Sequence, residues 1–159
     1  MVDGLLLKAQ NLMAKGELGR AAELLRRHIL DADNPNPKTM NLLGVCEARQ
    51  GHREMAREVF NQVLLRSPGN SSALTNLGNL SLIEGDHHAA REYYNRALRQ
   101  NVFLPEPRFN LVLSYQDMGH FEKAMTAYEE YVMIAKTARW SKYAILVGLL
   151  LLLAFLLKR

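Results

Sequence analysis

Apolar and small residues recur along this chain at one interval. Leu43-Gly44, Leu77-Gly78 and Leu111-Val112 stand 34 residues apart. Gly51, Gly85 and Gly119 repeat at the same spacing, as do Ala56, Ala90 and Ala124, and the aromatics Phe60, Tyr94 and Tyr128. An earlier copy precedes them: Gly16, Ala21 and Leu25 lie 35 residues before Gly51, Ala56 and Phe60, the extra residue falling in Asn34-Pro35-Asn36-Pro37. Inside a copy the apolar positions follow helical spacing. Leu74, Leu77 and Leu80 form one stripe that stops at Gly85-Asp86; Ala89, Ala90, Tyr93, Tyr94, Ala97 and Leu98 form a second. Pro68-Gly69, Pro105 and Pro107 fall at the unit ends, where a residue that cannot continue a helix is expected. Each unit therefore predicts a pair of helices, at about 2–36, 37–70, 71–104 and 105–138.

The pattern changes at the C-terminal side. From Tyr143 to Leu157 no side chain carries a charge, and eleven of these residues are Leu, Ile, Val or Phe. At roughly −0.3 to −0.6 kcal/mol each near a helix centre, they favour membrane insertion by about 3 to 7 kcal/mol. A helix from Trp140 to Leu157 rises about 27 Å, close to the hydrocarbon thickness, with Lys142 and Lys158 reaching toward the headgroups. Trp140 and Tyr143 suit the interfacial ring position, and Leu146, Leu150, Leu153 and Leu157 lie along the span. The expectation is one C-terminal transmembrane helix within an anchor at 139–159. An apolar helix buried in a partner protein is the competing reading. From His120 to Val147 there is neither Pro nor Gly. The last repeat helix is thus expected to run into the anchor, the alternative being a bend near Thr137 to Ser141.

Composition narrows the rest. The N terminus lacks the basic run and long apolar core of a secretory signal. With Lys136, Arg139 and Lys142 before the span, the domain is expected to face the cytoplasm. A single cysteine, Cys46, excludes an internal disulfide framework. The net charge of +4 gathers partly around the anchor, and no basic stripe with interleaved aromatics indicates nucleic acid. No catalytic or metal-binding set and no cofactor loop is present. His52, His87, His88 and His120 recur beside the turn glycines, each in a different unit layer or turn position, and read as turn residues in water. Arg26-Arg27-His28 reads as a solvated helix face.

The ladders resemble the tetratricopeptide repeat family. The family pattern reads Leu74, Leu77, Gly78, Ser81, Gly85, Ala90, Tyr94 and Ala97 in one unit, and Met40, Leu43, Gly44, Glu47, Gly51, Ala56, Phe60, Val63 and Pro68 in the preceding one. Glu47 and Ser81 stand at the usual aromatic, and Val112 at the usual glycine. That last exchange bears on how tightly the fourth pair closes. The resemblance implies an all-α, right-handed superhelix of about four helix pairs, non-enzymatic, whose first helices line a groove for a peptide or partner helix. Its lining positions map to Asn41, Val45 and Arg49; Thr75, Asn79, Leu82 and Ile83; and Phe109, Leu113 and Gln116. The chaperone-tail clamp of some family members is not matched: Asn41, Val45, Asn76, Glu106 and Asn110 occupy its places, without its lysines and arginine. Two function classes follow. One is a tail-anchored scaffold or accessory subunit holding a protein at a membrane complex and touching the bilayer, in a bacterial inner membrane or else on the mitochondrial outer membrane or peroxisome. The other is a membrane-bound chaperone, import receptor or organelle adaptor that binds clients transiently.

Overall fold

Each helix pair is shaped by its ends. The glycines Gly16, Gly51, Gly85 and Gly119 all have positive φ, from 73° to 89°. In that left-handed conformation the next amide folds back on the helix: Glu17 N donates to Leu12 O, His52 N to Glu47 O, Asp86 N to Ser81 O and His120 N to Tyr115 O, each at 2.9 Å. This closure satisfies carbonyls the ended helix leaves open, and a side chain at the glycine would strain it. Starts are fixed differently. Asn36 Oδ1 accepts from Lys38 N at 2.8 Å and Pro37 opens the helix, while Asn70 Oδ1 accepts from Ala73 N at 3.0 Å.

The computed structural model describes residues 2–137. In order they form α1 (Val2–Ala14), α2 (Leu18–Leu30), α3 (Pro37–Arg49), α4 (Arg53–Arg66), α5 (Ser71–Ile83), α6 (His87–Gln100) and α7 (Pro105–Asp117). An eighth helix, α8, covers 121–137 and reaches the last described residue. The chain divides into two compact units, the first ending at Val102 and the second beginning at Phe103.

In the first unit α1/α2, α3/α4 and α5/α6 are paired, α2 meets α3, α4 meets α5, and the first helices α1, α3 and α5 touch in sequence. One core cluster joins Ala9, Met13, Ala21, Ala22 and Leu25 to Leu43 and Cys46. A second joins Met40, Ala56, Phe60 and Val63 to Ala73, Leu77 and Leu80. Phe60 thus lies between its own first helix and the first helix of the next pair. In the second unit, α7 and α8 are tied by Arg108 and Glu130 at 2.9 Å and by the Phe109 and Tyr131 rings, 5.6 Å between centroids.

Among the described residues, no helix is long and apolar enough to cross a membrane. The expected anchor, with Trp140, Tyr143, Leu146, Leu150, Leu153 and Leu157, lies outside the described residues, as does the junction from residue 138 onward.

Candidate functional site

The first helices α3 and α5 of one unit and α7 of the other carry the expected partner-binding residues, and the structure sorts them into two kinds. Asn41 and Thr75 are buried. Asn41 Nδ2 donates to Asn70 Oδ1 at 3.0 Å, and Thr75 Oγ1 donates to the Ser71 carbonyl at 2.8 Å. Asn41 thereby ties α3 to the start of α5, Thr75 bonds within α5, and both residues are covered in the structure. The physical reason is the tight spacing of the first helices: a side chain at that register is covered by its neighbour. Asn41 Oδ1 and Thr39 Oγ1 stay buried without a hydrogen-bond partner.

The remaining positions of the first unit are accessible to different degrees. Val45 is half-buried and packs against both core clusters. Arg49 is exposed at the end of α3. Asn79 is half-buried and accepts a hydrogen bond from the Tyr94 hydroxyl at 2.9 Å. Leu82 is half-buried, and Ile83, at the end of α5, is 61% exposed. The apolar pair Leu82–Ile83 with Arg49 is what this unit presents at those positions. In the second unit Phe109 is 43% exposed with one ring face against Tyr131, Leu113 is half-buried and Gln116 is exposed.

One constellation was not anticipated. Glu47 replaces the usual aromatic, and its carboxylate is almost fully buried. Arg26 Nη2 reaches Oε1 at 2.6 Å from α2, and His52 Nδ1 lies 2.9 Å from Oε2. Arg26 is therefore not part of a purely solvated face, and His52 is not a free turn residue. A buried carboxylate demands such partners, because its lone pairs have lost water. The signal was legible in principle: an acid at a core register calls for a cation one unit earlier. Beside it, burial pushes the Cys46 thiol up to about 11, with Glu47 adding to the shift and Arg49 opposing it. A thiol held neutral in this way is a packed apolar group, not a nucleophile.

Comparisons with known proteins agree with this architecture. The Tetratricopeptide repeat family profile matches residues 47–101, and a second profile of the same description matches 105–137. No curated protein matches the chain. Among solved structures, one described as the crystal structure of MamA is 25% identical over 79% of this chain and 73% of its own, with a TM-score of 0.67. A second MamA structure is 24% identical over 86% and 75%, also at 0.67. A tetratricopeptide repeat protein from Parabacteroides merdae is 23% identical over 84% of this chain and 53% of its own, at 0.69. The chain carries tetratricopeptide repeats over residues 47–101 and 105–137.

Proposed function

We propose that the chain is a protein-binding scaffold whose first helices hold a peptide or helix of a membrane-associated complex. The observation that carries this reading is the apolar end of α5: Ile83 is 61% exposed beside half-buried Leu82, outside either core cluster. Apolar surface left at a helix row of this kind marks a partner site. Arg49 adds a cation nearby in the repeat register, so the fitting partner is an apolar segment with an acidic residue. Phe109, Leu113 and Gln116 form a separate contact surface on the second unit. The segment 143–157 fixes the scaffold to a membrane from the cytoplasmic side, on the strength of its uncharged sequence.

Ile83→Glu and Phe109→Ala in the full chain test the reading. Each is expected to reduce partner capture by about tenfold or more, since truncating or charging an interface anchor costs about 1.4 kcal/mol or more. Tm stays near the parent value for Ile83→Glu and falls modestly for Phe109→Ala, which also loses its ring contact with Tyr131. A large fall in Tm with capture intact would place these residues in the core and end the proposal. A partner that co-purifies in fixed ratio after detergent extraction fits a permanent subunit; a chain that is mostly free fits the transient receptor.

A further inference from the structure

The first unit shows how one pair's second helix seats the next pair's first helix. At the α2–α3 joint, Leu25 shares a cluster with Leu43 and Cys46, and Gln50 Oε1 would lie 3.6 Å from a Cβ placed on Gly19. At the α4–α5 joint, Phe60 shares a cluster with Ala73 and Leu77, and Arg57 pairs with Glu84.

Two helix faces carry the register of this joint and are left uncovered by the described residues. On α8, Tyr128 stands where Leu25 and Phe60 stand, yet it is 48% exposed, and Phe121 and Met125 are more so. Tyr128, Glu129, Val132, Met133 and Lys136 border an open hollow of about 310 Å³ on that helix. Phe121, Met125, Tyr128 and Val132 follow alternating steps of four, three and four residues, the spacing of a seam against one more helix. On α1, Lys8 stands where Leu43 and Leu77 stand, and Lys15 where Gln50 and Glu84 stand. Gly4, Leu7, Lys8, Asn11, Leu12 and Lys15 border a hollow of about 370 Å³ there.

The two faces carry complementary charges at their matching ends: the α1 face has Lys8 and Lys15, and the α8 face has Glu122 and Glu129 ahead of the terminal Lys136. Among the described residues none of Lys8, Lys15, Glu122 and Glu129 has an ion-pair partner. Carrying the α2–α3 joint onto these faces brings Glu122 to Lys15, because they stand for Gly19 and Gln50. It also lays the Lys8 stem and ammonium on the Tyr128 ring, a favourable place for both. We propose that a second copy of this chain seats its α1 face on the open α8 face, so that copies join head to tail by the joint that links repeats within one chain. Such a contact uses two different surfaces, so each added copy leaves a face for the next.

The test uses the full chain in detergent, with sedimentation as the readout and circular dichroism to verify folding. Wild type is expected to associate with rising concentration. Lys15→Glu alone and Glu122→Lys alone are each expected to weaken association by about three- to tenfold, since an exposed attraction becomes a repulsion. Mixing the two variants restores wild-type association, because the altered head now fits the altered tail. A Lys15→Cys chain mixed with a Glu122→Cys chain should form a disulfide between copies, and the native Cys46, being buried, does not compete. A chain that stays single at every concentration overturns the proposal, whether α8 is then covered by its own residues 138–159 or by another protein. So do single variants that associate as wild type, a mixture that stays apart, or a disulfide joining position 122 of both copies.

Discussion

Phe60 and Tyr94 occupy the space where side chains at Gly44 and Gly78 would be. A Cβ on Gly44 would stand 2.4 Å from Cε1 of Phe60, and one on Gly78 would stand 2.5 Å from Cε1 of Tyr94. Both rings are buried and have no room to retreat. In the last pair Val112 holds the glycine's place, and Tyr128 is left 48% exposed. Gly44→Ala is therefore predicted to lower stability by about 1 to 3 kcal/mol through overpacking. Gly4→Ala, with nothing within 4 Å of the new Cβ, should leave stability unchanged or raise it by up to about 1 kcal/mol. Thermal unfolding of the two variants checks this, and equal midpoints would mean Phe60 is not confined. Cys46 yields a second residue-scale prediction. Its thiol is raised from 9.0 to about 11 in the fold, so the neutral form is favoured. Below the unfolded value both states are protonated and the contribution is constant; as pH rises from 9.0 toward 11 only the unfolded state ionises, and stability falls. Alkylation at pH 8 should be slow in the native protein and rapid in denaturant.

Two neighbouring arginines of α2 make interactions of different worth, one within the helix and one across the joint to α3. Arg27 pairs with Glu23 one turn away at 2.5 Å, with both side chains exposed. Such a pair contributes about 0.3 to 0.5 kcal/mol. Arg26 reaches a carboxylate whose side chain is only 3% exposed. Removing it leaves Glu47 buried with the His52 ring nitrogen, 2.9 Å away, as its remaining side-chain partner. Arg26→Ala is predicted to cost about 1 to 3 kcal/mol, against under about 0.5 for Arg27→Ala, measured by denaturant midpoint at pH 7. Similar losses would show that Glu47 keeps access to water. The helices themselves were legible because glycine, small residue and aromatic recur in one register, and those residues enforce turn, approach and filling. The role of Glu47 was not legible from the repeat pattern, because that pattern says which residue is usual, not what a replacement must find. The burial of Asn41 and Thr75 was not legible for a related reason: helical spacing assigns a face, but the neighbouring helix decides how much of that face water can reach.

At the larger scale, the helix pairs of the first unit meet only their neighbours, which spreads apolar surface along a row instead of enclosing a pocket. The proposed contact residues Leu82, Ile83 and Phe109 follow from the repeat register, and their chemistry fits many apolar segments. The membrane expectation rests on a different physics, the transfer of residues 143–157 into hydrocarbon, and can be tested without the repeats. Eleven apolar side chains there supply about 3 to 7 kcal/mol in favour of insertion. Replacing Leu150 and Leu153 by arginine removes two favourable contributions and adds roughly 2.5 to 3.5 kcal/mol for each charge near the span's centre. The sum then turns unfavourable or close to zero. The full chain is predicted to stay in the membrane pellet through carbonate extraction, and the doubly substituted chain to appear in the supernatant. If 143–157 instead packs against a partner protein, the unaltered chain will leave the membrane with carbonate, since a protein contact at its surface does not resist high pH as a spanning helix does.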